Sequence, residues 1–158
     1  AFLNESRFTS QSNFFGETAS FSLNSQKVFL LKPQTFMNNS GGSVNSFLKY
    51  YGIPPEEILV AHDELDLPVG SVKIKLGGGH GGHNGLRDII KALGTNNFYR
   101  LRIGIDHPGS KDEVVDYVLR APNKSELSTL EESMTRAIKI VDLLAIGNFD
   151  DAMKVLHT

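Results

Sequence analysis

The chain has 158 residues, with 16 Lys and Arg against 18 Asp and Glu; 40% of it is hydrophobic and 22% charged. Those figures suit one globular domain spanning residues 1–158, and they exclude a disordered chain, a collagen-like chain and a heavily basic nucleic-acid-coating tail. With no cysteine there is no disulfide, thiolate-bound zinc or thiol nucleophile, which fits a reducing cytoplasm, and no apolar run approaches the roughly 18 residues that span a bilayer.

In chain order, residues 18–24 and 27–32 read as two short strands, with Asn24 and Ser25 supplying the turn. Val44, Phe47, Leu48 and Tyr51 fall at i, i+3, i+4 and i+7 and predict a helix between Gly42 and Gly52, stopped by Gly52 and Pro54. Residues 58–61 form a continuous apolar run, expected of a strand buried on both faces. Residues 72–76 alternate apolar side chains with Lys73 and Lys75, as in a half-exposed strand. After a glycine-rich loop, Leu86, Ile89, Ile90 and Leu93 mark a second helix ending at Gly94, and residues 98–105 are again strand-like. Ser110 and Glu113 have capping-box spacing for a short helix, and so do Asn123 and Glu126 for a longer one. That longer run should bury Leu127, Leu130, Met134, Ala137, Ile138, Val141 and Leu144 before Gly147, with a last short helix over 150–157. Strands alternating with helices predict an α/β fold, a three-layer sandwich with a mixed, mostly parallel central sheet.

Charge is unevenly spread. Residues 71–105 carry Lys73, Lys75, Arg87, Lys91, Arg100 and Arg102 against Asp88 alone, which makes this stretch either an anion-facing surface or a solvated basic face.

Three segments could carry chemistry. Thr35-Phe-Met-Asn-Asn-Ser-Gly41 joins a strand to a helix N-terminus, a place where open α/β sheets bind ligands; Asn38 and Asn39 could hold a ligand there or simply cap the helix. His62-Asp-Glu-Leu-Asp66 follows the apolar run. Its carboxylates could orient a histidine base, ligate a hard metal, or belong to a solvated loop. Gly77-Gly-Gly-His-Gly-Gly-His-Asn-Gly85 contains six glycines in nine residues, a density with no packing reason and a real entropic cost. By letters it holds G-x-G-x-x-G, so a dinucleotide site is a rival, although the acidic partner is missing and no Lys-Ser/Thr follows to make a triphosphate loop. His83 and Asn84 would open the next helix, suited to a phosphate or a carbonyl. No G-x-S-x-G elbow supports a serine nucleophile.

Taken together, four stretches resemble the bacterial peptidyl-tRNA hydrolase family, in its order and spacing: 33–41, 58–68, 73–86 and 100–109. The resemblance implies a metal-free, cofactor-free cytoplasmic esterase, expected to be a monomer, that cleaves the ester between a peptide and the 3′ end of tRNA and so recycles tRNA in translation. It implies that Asp63 orients the general-base histidine. Asn38 and Asn84 would hold the substrate and the developing oxyanion, with His83 beside them at the head of the helix, and Phe36 and Met37 would line the cleft. Lys75 and Arg102 would grip acceptor-stem phosphates, in line with the basic segment. A non-catalytic tRNA-binding homologue is the alternative.

The family's opening strand, ending Gly-x-Gly-Asn-Pro-Gly, and its Thr-Arg-His-Asn segment with the catalytic histidine have no counterpart in these residues. His62, His80, His83, His107 and His157 all stand in other contexts, and the chain starts at Ala1 rather than Met. The expectation is of a chain without the family's N-terminal strand and base, inactive by itself.

Overall fold

Asn24 and Ser25 both adopt left-handed backbone angles, φ 50° and 62°, the geometry of a two-residue hairpin turn that matches strand twist. In the computed structural model, which describes residues 7–157, this turn joins β2 (Gly16–Leu23) to β3 (Gln26–Pro33) in an antiparallel ladder from Leu23↔Gln26 to Gly16↔Pro33. A short β1 (Thr9–Gln11) adds to β2, giving the sheet order β1-β2-β3. The Ala1 start lies outside the described residues.

The chain divides into two compact units. One comprises residues up to Ile58 together with Leu76–Tyr99; the other comprises Leu59–Lys75 and the residues from Arg100 onward. In the first, α1 (Ser40–Tyr51) begins two residues before the expected start and ends where Gly52 turns left-handed and its N–H returns to Leu48. Val44, Phe47 and Leu48 are buried as the periodicity predicts. Tyr51 instead stacks on Phe29 and Phe47, with ring centroids 4.5 and 4.7 Å away. The second helix of this unit, α2 (Asn84–Leu93), buries Leu86 and Ile89 and is closed by Gly94.

β4 (Leu59–Glu64), β5 (Val72–Leu76) and β6 (Tyr99–Gly104) form a sheet in the order β4-β6-β5, all of it but Leu76 and Tyr99 counted in the second unit. Tyr99 donates to Ile58 and Ile105 to Glu64, so β6 runs parallel to β4; Gly77 donates to Phe98 and Gly104 to Ser71, so β6 runs antiparallel to β5. The chain is therefore mixed α/β, with a larger antiparallel share among the described strands than the apolar runs suggested, because the β2–β3 connection is a tight hairpin. The same directions remove the dinucleotide rival: β5–α2–β6 is not the parallel strand–helix–strand crossover that such a fingerprint requires.

Three further expectations change. The apolar run before His62 is only half-buried, with Ala61 exposed, because β4 lies at the edge of its described sheet. Ser110 makes no capping bond to the 3₁₀ turn Lys111–Glu113 that leads into α3 (Val114–Leu119). The long C-terminal helix stops early: α4 (Lys124–Ile138) ends, Ile140 closes a tighter turn onto Ala137 and is fully buried, and α5 (Val141–Ala145) starts afresh. The inward side of α4 carries Ser133, fully buried, while Leu127, Met134 and Ile138 are about half-exposed. The Asn123–Glu126 capping box forms in both directions, at 2.8 and 2.9 Å, and α6 (Phe149–Leu156) closes the fold.

Candidate active site

In the first unit, β3 delivers Phe36 and then a 3₁₀ turn, Met37–Asn39, that runs into α1. Phe36 is 83% exposed and Met37 58%, and Asn38 is exposed beside them. Neither asparagine is spent on capping: Asn39 occupies the cap position of α1 without a side-chain bond, and it is Ser40 that donates to the Met37 carbonyl at 2.8 Å.

This turn sits directly against the start of α2. A Cβ on Gly85 would lie 2.6 Å from Met37 Sδ, and one on Gly41 would lie 2.3 Å from the Asp88 carbonyl oxygen. Gly41, blocked by backbone, therefore demands glycine, whereas at Gly85 the Met37 side chain could give way. Asp88 Oδ2 accepts the Gly41 N–H at 2.7 Å. Asn38 and Asn84 are each next in sequence to a residue of the Met37–Gly85 contact, so they lie on turns that pack against each other. Asn84 is exposed, and its amide oxygen accepts a long bond from Arg87 at 3.4 Å. His83 caps α2 by accepting the Leu86 N–H on Nδ1 at 3.2 Å. In the loop between β5 and α2, Gly77, Gly78, Gly81 and Gly82 take positive φ, which accounts for most of the glycine density.

In the second unit, Asp63 is the fifth residue of β4 and half-buried. Strand alternation sends it to the side opposite His62 and Glu64. His62 is buried, with Nδ1 2.7 Å from the Asp63 carbonyl; a carbonyl can only accept, so Nδ1 carries the proton. Glu64 is committed to Arg102, Oε1 to Nε at 2.8 Å, with side-chain exposures of 18% and 22%. Arg102, expected to grip phosphate, thus has part of its charge answered from within. Its neighbour Arg100 is buried; burial and then Arg102 push its guanidinium below the ordinary value, and Glu64 pulls the other way. Lys75 is exposed on β5.

The metal option for the His62–Asp63–Glu64 cluster fits poorly. Its ring and one carboxylate are already bonded elsewhere, and no group of three suitable ligands occurs among the described residues. Nor is any described helix long and apolar enough to cross a membrane.

Sequence reasoning missed two residues, Glu64 as the partner of Arg102 and Asp88 as the link between helices. A signal for Asp88 was present: it is the one acid in the basic stretch 71–105.

A family model described as peptidyl-tRNA hydrolase matches residues 2–158. A peptidyl-tRNA hydrolase of Ruthia magnifica subsp. Calyptogena magnifica is 51% identical over 158 residues, covering all of this chain and 83% of that protein. One from Dichelobacter nodosus is 49% identical over 152 residues, covering 96% and 80%. The crystal structure of peptidyl-tRNA hydrolase from Acinetobacter baumannii matches with a TM-score of 0.92 at 44% identity, over 96% of this chain and 76% of that one. The chain belongs to the peptidyl-tRNA hydrolase family.

Proposed function

We propose that this chain carries the substrate-holding groups of a cytoplasmic, metal-free enzyme that hydrolyses the ester between a peptide and the 3′-terminal ribose of tRNA. Water attacks the ester carbonyl and gives its proton to a histidine. The NH₂ groups of Asn38 and Asn84 hold the carbonyl oxygen as charge develops on it. The histidine then returns the proton to the departing ribose oxygen. Asp63 orients the imidazole and stabilises its charged form. Phe36 and Met37 supply apolar contact near the reacting end, and Lys75 and Arg102 meet backbone phosphates without reading base sequence. The observation that supports this reading is the seating of the Met37–Asn39 turn on the head of α2, with Asn38 and Asn84 each one residue from that contact.

The state of the histidines supports a base outside these 158 residues. His80 and His107 accept backbone N–H groups on Nδ1, from Gly82 and Gly109, both at 3.0 Å. His83 does so from Leu86, and His157 accepts from Ile74 on Nε2 at 3.0 Å. A neutral imidazole has one lone pair, so in these four it is already occupied. His62 is buried and bonded to the Asp63 carbonyl. On this reading the 158-residue chain alone turns over no substrate.

The test is cleavage of peptidyl-tRNA by the complete gene product carrying this chain, with and without chelator. Metal-independent cleavage, together with no turnover by the 158 residues alone, agrees with the proposal. Tight tRNA binding without ester cleavage by the complete product contradicts it and selects a binding module; turnover by the 158 residues places the base among the five histidines.

A further inference from the structure

We propose that Asp88 is a positioning residue for the Asn38–Asn84 amide pair, an inference that rests on the role proposed for those two asparagines. Asp88 touches neither reacting atoms nor either amide. It sits one turn along α2 from Asn84, and its Oδ2 takes the N–H of Gly41, the second residue of α1, at 2.7 Å. An N–H in the first turn of a helix has no partner within that helix. An acceptor oxygen placed opposite it satisfies it, and Oδ2 of Asp88 supplies one.

The surrounding packing concentrates this bond on the amides. Gly41 approaches the Asp88 backbone so closely that a Cβ would lie 2.7 Å even from Oδ2, and Gly85 is pressed against Met37 Sδ. One backbone-close approach, one side-chain contact and one hydrogen bond thus hold the turn carrying Asn38 to the turn carrying Asn84. Remove the carboxylate and Gly41 loses its acceptor while both close contacts lose the tie that holds them. The two amides can then drift independently by fractions of an ångström. Oxyanion donors work only when fixed in advance, so such drift weakens the transition state more than it weakens substrate binding. The charge of Asp88 reinforces the argument. It subtracts from the positive potential of residues 71–105, so it works against attraction of phosphate and needs another reason to be there.

The experiment is steady-state hydrolysis of peptidyl-tRNA by the complete gene product, well below its unfolding temperature. Wild type is compared with Asp88→Ala, Asp88→Asn and Asp88→Glu, and with Asn38→Ala and Asn84→Ala as references. The expected result is a kcat about tenfold lower for Asp88→Ala with KM within about twofold, near-complete recovery in Asp88→Asn, which keeps an acceptor oxygen, and an intermediate loss in Asp88→Glu, which displaces it. Should Asp88→Ala not fold, the Asn and Glu variants carry the comparison. If Asn38→Ala and Asn84→Ala lower kcat but none of the Asp88 variants does so, the positioning role is overturned while the site stands. If the two asparagine variants leave kcat unchanged, it is the reading of the site that fails. A loss in Asp88→Asn equal to that in Asp88→Ala also overturns the inference, because charge rather than the bond to Gly41 would then be the active property.

Discussion

His157 accepts the backbone N–H of Ile74 on its Nε2 at 3.0 Å, tying the end of α6 to the outer described strand of the β4-β6-β5 sheet. The bond requires a neutral ring, since a protonated imidazole has no lone pair to offer. Burial and then the charge of Lys73 both lower the pKa of His157 from its ordinary value, and Arg136 lines the same hollow of about 410 Å³. A histidine depressed in the folded state stabilises the fold fully above its unfolded pKa near 6.5, and the contribution fades as pH falls from there through the lower folded value. The melting temperature of wild type should therefore fall more than that of His157→Gln between about pH 7.5 and pH 5. A constant difference between the two across that range would contradict the role given to this bond.

Adjacent glycines in α1 should respond oppositely to the same change. At Gly41 a Cβ meets the Asp88 carbonyl oxygen at 2.3 Å, whereas at Gly42 there is nothing within 4 Å. Gly41→Ala should cost about 2–4 kcal/mol through forced separation of α1 and α2. Gly42→Ala should stabilise by about 0.5–1 kcal/mol, because an exposed helical glycine is replaced by the best helix former. Chemical denaturation of the two variants measures both.

Lys75 and Arg102 should separate binding from stability. Lys75 is exposed, so Lys75→Ala should weaken tRNA binding, reduce the slope of log affinity against log salt by about 1, and leave unfolding unchanged. Arg102→Ala should weaken binding in the same way and also destabilise by about 1–2 kcal/mol, because it leaves a half-buried Glu64 without its partner. Binding titrations across a salt series, paired with denaturation curves, distinguish the two patterns.

Features visible in the sequence were those whose cause is local. Asn24 and Ser25 announce a tight hairpin, Gly52 and Gly94 end helices in left-handed geometry, and Asn123 with Glu126 announces a box that forms in full. Ser110 and Glu113 have the same spacing and form none, so spacing alone did not decide. What stayed hidden depends on distant chain: the Gly41–Asp88 bond joins residues 47 apart and Arg102–Glu64 residues 38 apart. The break after Ile138 has no Pro or Gly to mark it; the chain turns there to bury Ile140, which only the packed structure reveals. For the proposed site, Asn38 stood out in one segment and His83 with Asn84 in another because each lies near the head of a helix, while Asp88 showed only as an acid out of place among basic neighbours.

The most direct test of the central claim is the rate at which the complete gene product cleaves peptidyl-tRNA when Asp63 becomes Asn. If Asp63 orients the base that activates water, kcat should fall by about a hundredfold or more while tRNA affinity is retained. A variant that cleaves at the wild-type rate would contradict the account.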